Sequence, residues 1–168
     1  VIGIDGNIVK SNNSTPSYST SSTSSTTMFL SQKGIDMLKG FETFKSKAYW
    51  DNGKYSIGYG HRGDDVKEDD EIDKKRAEEL LKQDVAKFES HVRSYNDKYK
   101  WTQTEFDAMV LFAYNVGSIG SVTAQSSRSK TEIAEYMLLY YNVNKEPSKG
   151  LMDRRKKEHN LFVNGIYS

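Results

Sequence analysis

Apolar residues recur with the 3.6-residue period of an α-helix along most of the chain after residue 30. The first such run contains Ile35, Leu38 and Phe41 and follows Ser31, a residue type that caps helix N-termini. A longer run follows Asp73, another capping residue. Its apolar positions are Ala77, Leu80, Leu81, Val85, Phe88 and Val92. The pattern therefore predicts a short helix and a long helix with a different kind of segment between them.

Two capping boxes predict further helices downstream. The sequence TQTE at 102–105 precedes a strongly apolar stripe over residues 106–117, which stops at a glycine. The sequence SKTE at 129–132 has the same spacing of hydroxyl and carboxyl groups. A last helix is predicted between residues 147 and 162. The chain is thus expected to contain about five helices.

The segment AYWDNGKYSIGYG, residues 48–60, has the pattern of a β-hairpin. Asn52-Gly53 is the strongest two-residue turn signal, because both positions tolerate a positive φ. Aromatic and β-branched residues flank it, including Trp50 and Tyr55. The predicted fold class is therefore α+β and mainly helical, with the strands near the front of the domain.

Serine and threonine make up 13 of the 17 residues from Ser11 to Thr27. Such a composition buries too little apolar surface to offset the entropy of ordering, and it is typical of a linker. Residues 1–10 alternate loosely like a strand, and the chain begins with Val1 rather than Met. We therefore expect an upstream remnant and disordered linker over residues 1–30, a catalytic domain over residues 31–168, and a larger parent protein.

Charge and composition argue against several classes of function. The net charge of +1 gives no broad basic field of the kind that nucleic-acid-binding proteins use. The sequence has no apolar run long enough for a membrane span and no cysteine for a thiolate site. The acidic residues between 64 and 71 lack the order of an EF-hand calcium loop. We expect neither a nucleic-acid partner, a membrane span, a metal nor a cofactor.

Glu42 and Asp51 are candidate catalytic carboxylates. Hydrolysis of a glycosidic bond needs one carboxyl group to protonate the leaving oxygen and a second to activate water or stabilise the positive sugar. If Glu42 ends a helix and Asp51 opens a hairpin packed against it, the two can face each other across a cleft. Their nine-residue spacing alone is weak evidence, because such a pair in a charged surface sequence is far more often two ordinary surface charges.

The residues around this pair resemble a known family. Glu-x8-Asp followed by Ser-Ile-Gly-Tyr-Gly-His is similar to the active-site segment of phage-type lysozymes, the endolysins of glycoside hydrolase family 24. Residues 62–81, 101–120 and 150–162 resemble further segments of that family in the same order, so the resemblance covers about residues 31–163. It implies a lysozyme-like fold of two lobes, a small N-terminal β-hairpin lobe and a helical C-terminal lobe, joined by a long helix.

The resemblance also implies roles for individual residues. Glu42 would be the general acid, Asp51 would activate water, and Ser56 would hold that water where the family usually has threonine. The interval from Asp51 to Ser56 is one residue shorter than is usual, so we expect a retained but slightly displaced site. Arg154 would pair with the catalytic glutamate.

Three more residues are implied as substrate-binding or orienting: Asn115 at a helix end, and Tyr59 and His61 in the Gly-x-Gly-His segment. For His61, a loop-holding hydrogen bond is the favoured interpretation. Gly58 and Gly60 lack the lysine and Ser/Thr of a phosphate-binding loop.

The implied activity is cleavage of the β-1,4 bond between N-acetylmuramic acid and N-acetylglucosamine in bacterial peptidoglycan. Such an enzyme acts on the cell wall outside the cytoplasm, after lysis or from a virion, and the export route stays open. Residues 1–30 could connect it to an upstream domain or a phage tail or baseplate assembly. Two alternatives are a lytic transglycosylase, against which Asp51 and Ser56 argue, and a non-catalytic peptidoglycan-binding module.

Overall fold

The structure of the chain is a computed structural model that describes residues 26–168. The predicted remnant and nearly all of the predicted Ser/Thr linker, residues 1–25, lie outside the described residues. The helices are α1 (Gln32–Phe41), α2 (Lys74–Arg93), α3 (Asn96–Tyr99), α4 (Gln103–Val116), α5 (Lys130–Met137) and α6 (Lys149–Asn164). The strands are β1 (Lys45–Asp51), β2 (Lys54–Gly58), β3 (His61–Arg62), β4 (Asn142–Val143) and β5 (Glu146–Pro147).

The predicted helix starts are confirmed. Ser31 accepts a hydrogen bond from the backbone N–H of Gly34, and Asp73 accepts one from that of Arg76. Both predicted capping boxes form, at Thr102 ahead of α4 and at Ser129 ahead of α5. Each cap satisfies backbone N–H groups that have no partner inside the helix.

A three-stranded antiparallel sheet in the order β1-β2-β3 follows α1. Its first turn has φ values of 46° at Asn52 and 92° at Gly53, as the Asn-Gly sequence predicts for a two-residue hairpin. The turn pairs Asp51 with Lys54, and Tyr49 lies directly opposite Ser56. Because side chains alternate along a strand, Tyr49, Asp51 and Ser56 share one face of the hairpin.

Helix α2 joins two apolar clusters. Leu80, near its N-terminus, packs with Ile57 and Val66 beneath the sheet. Leu81 and the later apolar residues of α2 pack in the main helical core. That core surrounds α4, in which every residue from Phe106 to Ala113 is buried. The chain therefore has the two-lobed, mainly helical architecture that the sequence predicts.

Some elements were not anticipated from the sequence. Helix α3 has only four residues, which is too short for a hydrophobic period to appear. The β4–β5 hairpin turns at Asn144 and Lys145, both with positive φ. A lysine there replaces the usual glycine, so this turn carries no strong sequence signal. Among the helices that the structure describes, none combines the length and apolarity needed to cross a membrane.

Candidate active site

Glu42 stands where α1 ends and points its side chain into the space beside the sheet. Its backbone N–H closes the helix by donating to the carbonyl of Leu38 at 3.1 Å. The side chain is 29% exposed, so solvent and a ligand can both reach it. Gly60 lies so near that a Cβ there would be 3.8 Å from Glu42 Oε2. The carboxylate thus lies against the turn between β2 and β3.

Arg154, on α6, is the charged partner of Glu42. Its Nη1 lies 3.4 Å from Glu42 Oε1. Its Nη2 donates to the carbonyl of Leu111 at 3.0 Å, and its Nε donates to Glu158 Oε1 at 2.9 Å. The guanidinium carbon is 4.4 Å from the centre of the Phe41 ring, within cation–π range. These contacts with Glu158, Leu111 and Phe41 fix the guanidinium, which presents Nη1 as a donor to the Glu42 carboxylate.

Asp51 and Ser56 come together on the shared face of the β1–β2 hairpin. Ser56 is 1% exposed, and its Oγ donates to Asp51 Oδ2 at 3.4 Å. The other carboxylate oxygen of Asp51 accepts a hydrogen bond from the Asn52 side chain at 3.3 Å. The shortened interval between Asp51 and Ser56 thus keeps the carboxylate and the hydroxyl within reach of each other. Together they can hold and deprotonate a water molecule.

Tyr114, near the end of α4, belongs to the same region, although its sequence spacing is that of a core residue. Burial raises the pKa of its phenol, and the carboxylates of Glu42 and Asp84 raise it further. The ring packs edge-on against Phe88 with centroids 5.5 Å apart. A cleft of about 440 Å³ adjoins Tyr114 and Gly60. Its other lining residues are Arg62, Gln83, Asp84, Lys87 and Phe88.

His61 is held between two aspartates. Its Nδ1 lies 2.9 Å from Asp84 on α2, and its Nε2 lies 2.9 Å from Asp65 in the following loop. Burial opposes a charge on the ring, but the hydrogen bonds to Asp65 and Asp84 outweigh it and raise the pKa of His61. Burial also raises the pKa of Asp84, against the effect of His61. The geometry gives His61 a loop-holding contact between the sheet and α2.

The two remaining predicted site residues, Asn115 and Tyr59, have different surroundings. Asn115 is exposed, and its Oδ1 accepts a hydrogen bond from the Arg155 side chain. Tyr59 is 7% exposed and packs in the core with its ring 5.5 Å from that of Phe44. Its role in substrate binding stays a prediction.

Within residues 26–168, no three His, Cys, Asp or Glu side chains form a group that could hold a metal ion. The site offers two carboxyl groups. The guanidinium of Arg154 lies beside Glu42, and the hydroxyl of Ser56 lies beside Asp51.

The family model described as phage lysozyme matches residues 39–158. The chain belongs to the phage lysozyme family. The endolysin of Bacillus phage B103 is 37% identical over 147 residues, which cover 82% of this chain and 55% of that relative. The chain thus spans about half the length of that relative.

Two solved structures are similar over most of their length. An endolysin from Escherichia coli O157:H7 phage FAHEc1 is 34% identical with a TM-score of 0.68, covering 84% of this chain and 97% of that one. The muramidase domain of SpmX from Asticaccaulis excentricus is 28% identical with a TM-score of 0.67, covering 80% of this chain and 97% of that one. These likenesses agree with the two-lobed fold described above.

Proposed function

We propose that this member of the phage lysozyme family is a glycoside hydrolase of bacterial peptidoglycan, an N-acetylmuramidase. Its target is the β-1,4 bond between N-acetylmuramic acid and N-acetylglucosamine. The observation that carries the proposal is the fixed contact between Glu42 and Arg154, beside the hairpin face where Asp51 and Ser56 meet. Similarity to a muramidase domain and to endolysins supports the same activity.

In the proposed reaction, Glu42 donates its proton to the glycosidic oxygen as the bond to C1 of muramic acid breaks. Positive charge develops on the sugar ring, and a water molecule held by Asp51 and Ser56 attacks C1. Asp51 accepts the proton of that water, and solvent restores both carboxyl groups. Arg154 fixes the position of Glu42. We propose inversion at C1, a mechanism that needs the two carboxyl groups to be about 6.5 to 9.5 Å apart.

Analysis of the fragments released from purified peptidoglycan tests this proposal. The chain and a heat-denatured control are incubated with peptidoglycan from several bacteria, and the products are identified by mass. Fragments ending in reducing N-acetylmuramic acid are the expected result. Fragments with anhydro-muramic ends would instead identify the chain as a lytic transglycosylase. Intact glycan with folded, bound protein would indicate a binding module.

We also propose that residues 31–168 act as the catalytic domain on the bacterial cell wall, outside the cytoplasm. The Ser/Thr-rich composition of residues 11–27 supports a role for residues 1–30 in connecting this domain to an upstream domain or a tail assembly. Immunodetection in purified phage particles tests the connection. Detection in particles would support it, and detection confined to particle-free lysate would contradict it.

A further inference from the structure

Glu158 on α6 is a fully buried carboxylate, at 0% exposure, to which the preceding sections assign no catalytic role. It lies four residues after Arg154 and three after Arg155, spacings that bring all three side chains onto one side of the helix. Burial raises the pKa of Glu158, while the two neighbouring guanidinium groups oppose this effect. An isolated buried carboxylate is very unfavourable, so its contacts with both arginines explain how it is accommodated.

One carboxylate oxygen of Glu158 fixes Arg154. Arg154 Nε donates to Glu158 Oε1 at 2.9 Å, while its Nη2 donates to the carbonyl of Leu111. These two bonds set the plane of the guanidinium and leave Nη1 directed at Glu42. The position of the proposed acid therefore depends on a carboxylate that does not touch it.

The other carboxylate oxygen faces Arg155, which is also fully buried. Arg155 Nη1 lies 2.8 Å from Glu158 Oε2, an ion pair without hydrogen-bond alignment. Arg155 Nη2 donates to Asn115 Oδ1, and the guanidinium stacks 5.0 Å from the Phe112 ring. Glu158 thus connects the end of α4 with the arginine that holds Glu42.

Glu158 lies between the guanidinium groups of Arg154 and Arg155, and Arg154 also contacts Glu42. The phenol of Tyr114 on α4 also lies near Glu42, and burial together with the Glu42 carboxylate raises its pKa. Removing the charge of Glu158 alone would take away the ion pair of Arg155 and one of the two ion pairs that Arg154 makes within residues 26–168.

We propose that Glu158 is a positioning residue that acts through Arg154 to hold the general acid Glu42 in its reactive orientation. This role rests on the proposed function. It predicts a specific pattern: the loss of Glu158 lowers the rate of the chemical step, leaves substrate binding nearly unchanged, and has no further effect once Arg154 is gone.

The test compares Glu158→Gln with a matched control, Asp107→Asn. Asp107 is likewise fully buried, but it bonds Ser31, Gln103 and Tyr167, away from Glu42. Initial rates of saccharide release are measured over a range of soluble peptidoglycan fragments, below the unfolding temperature of every variant. Glu158→Gln should lower kcat about tenfold or more with KM within about twofold. Asp107→Asn should leave both constants within about twofold of wild type.

A second comparison isolates the path through Arg154. Adding Glu158→Gln to Arg154→Ala should change kcat by less than about twofold, because the contact between residue 154 and Glu42 is already lost. If Glu158→Gln lowers kcat in the Arg154→Ala variant by the same factor as in wild type, the proposal is overturned. A wild-type kcat in folded Glu158→Gln would overturn it too.

If Glu158→Gln does not fold, the double variant Arg155→Met/Glu158→Met replaces it, because removing both charges avoids an unpaired buried arginine. A folded double variant should also show a reduced kcat, and a wild-type kcat in it would overturn the role. A wild-type chain that releases no saccharide would instead refute the proposed function, and this role with it.

Discussion

Nη1 of Arg154 lies 3.4 Å from Oε1 of Glu42, although the two residues are 112 positions apart in the chain. The contact joins the end of α1 to α6 at the edge of the cleft. It places a fixed positive group beside the proposed acid, and three further contacts hold that group in place. The proposed orientation of Glu42 depends on this contact.

Arg154→Lys should lower the hydrolytic rate about tenfold to a hundredfold. A lysine keeps the charge, but one ammonium cannot reach Glu42, Glu158 and the Leu111 carbonyl in the fixed geometry of a guanidinium. The measurement is the initial rate of peptidoglycan solubilisation. Lys156→Met, which removes an exposed charge from the same helix, is the control and should retain the wild-type rate. Equal rates in both variants would contradict the role of Arg154.

Ser56→Ala should lower the rate about tenfold, because the attacking water that we propose beside Asp51 would lose the hydroxyl that holds it. Ser56→Thr keeps the hydroxyl and should retain activity within about threefold of wild type. Both variants are compared with wild type in the same solubilisation assay, after circular dichroism has shown that they fold. A threonine variant as slow as the alanine variant would count against the hydroxyl as the functional group.

The contacts of His61 should make stability depend on pH. Its pKa is raised in the folded state, so the stabilisation is complete below the unfolded value of 6.5 and is lost as the pH rises through the folded value. Asp84→Asn removes one partner. We therefore expect the Tm of Asp84→Asn to lie below that of wild type. This difference, measured by thermal unfolding from about pH 5.5 to about pH 9, should be largest at low pH and should shrink above neutrality.

Asp64→Asn serves as the control for this measurement. Asp64 is 90% exposed in the same loop, and it pairs with a lysine on the surface rather than with His61. Its Tm should follow that of wild type at every pH. A deficit in Asp84→Asn that stays constant with pH would mean that the charge of His61 does not contribute.

Asp107 should be important for stability without affecting catalysis. This buried carboxylate accepts hydrogen bonds from the backbone and side chain of Ser31, from Gln103 and from the hydroxyl of Tyr167. Asp107→Ala should lower the free energy of unfolding by about 3 kcal/mol, because several donors lose their acceptor. Tyr167→Phe removes one donor and should cost about 1 kcal/mol. Denaturant unfolding measures both, and equal losses would contradict this assignment.

The sequence predicts the local features of this protein well. Ser31, Asp73, Thr102 and Ser129 cap helices as expected, and Asn52-Gly53 forms the predicted turn. These features depend on interactions within a few residues, so their signals are visible in the sequence. The segment from Glu42 to Ser56 is equally local, and its spacing together with family resemblance was enough to select the candidate carboxylates.

The buried groups that pack around the site are much harder to find from sequence. Glu158 lies in the charged run RRKKEHN and has the pattern of a solvated helix face, yet it is fully buried. Tyr114 has the spacing of a core residue, and Asp84 that of an exposed helix position. Their roles depend on how α2, α4 and α6 pack, and neither local propensity nor hydrophobic period contains that information.

Hydrolysis in water labelled with oxygen-18 tests both the proposed muramidase reaction and Glu42 as its acid. The wild-type chain and Glu42→Gln are incubated with peptidoglycan in this water, and the released saccharides are analysed by mass. With wild type, the new muramic acid ends should carry one heavy oxygen at C1. With folded Glu42→Gln, product formation should be lower by about a hundredfold or more. Unlabelled anhydro ends from wild type, or labelled ends formed at the wild-type rate by Glu42→Gln, would contradict this proposal.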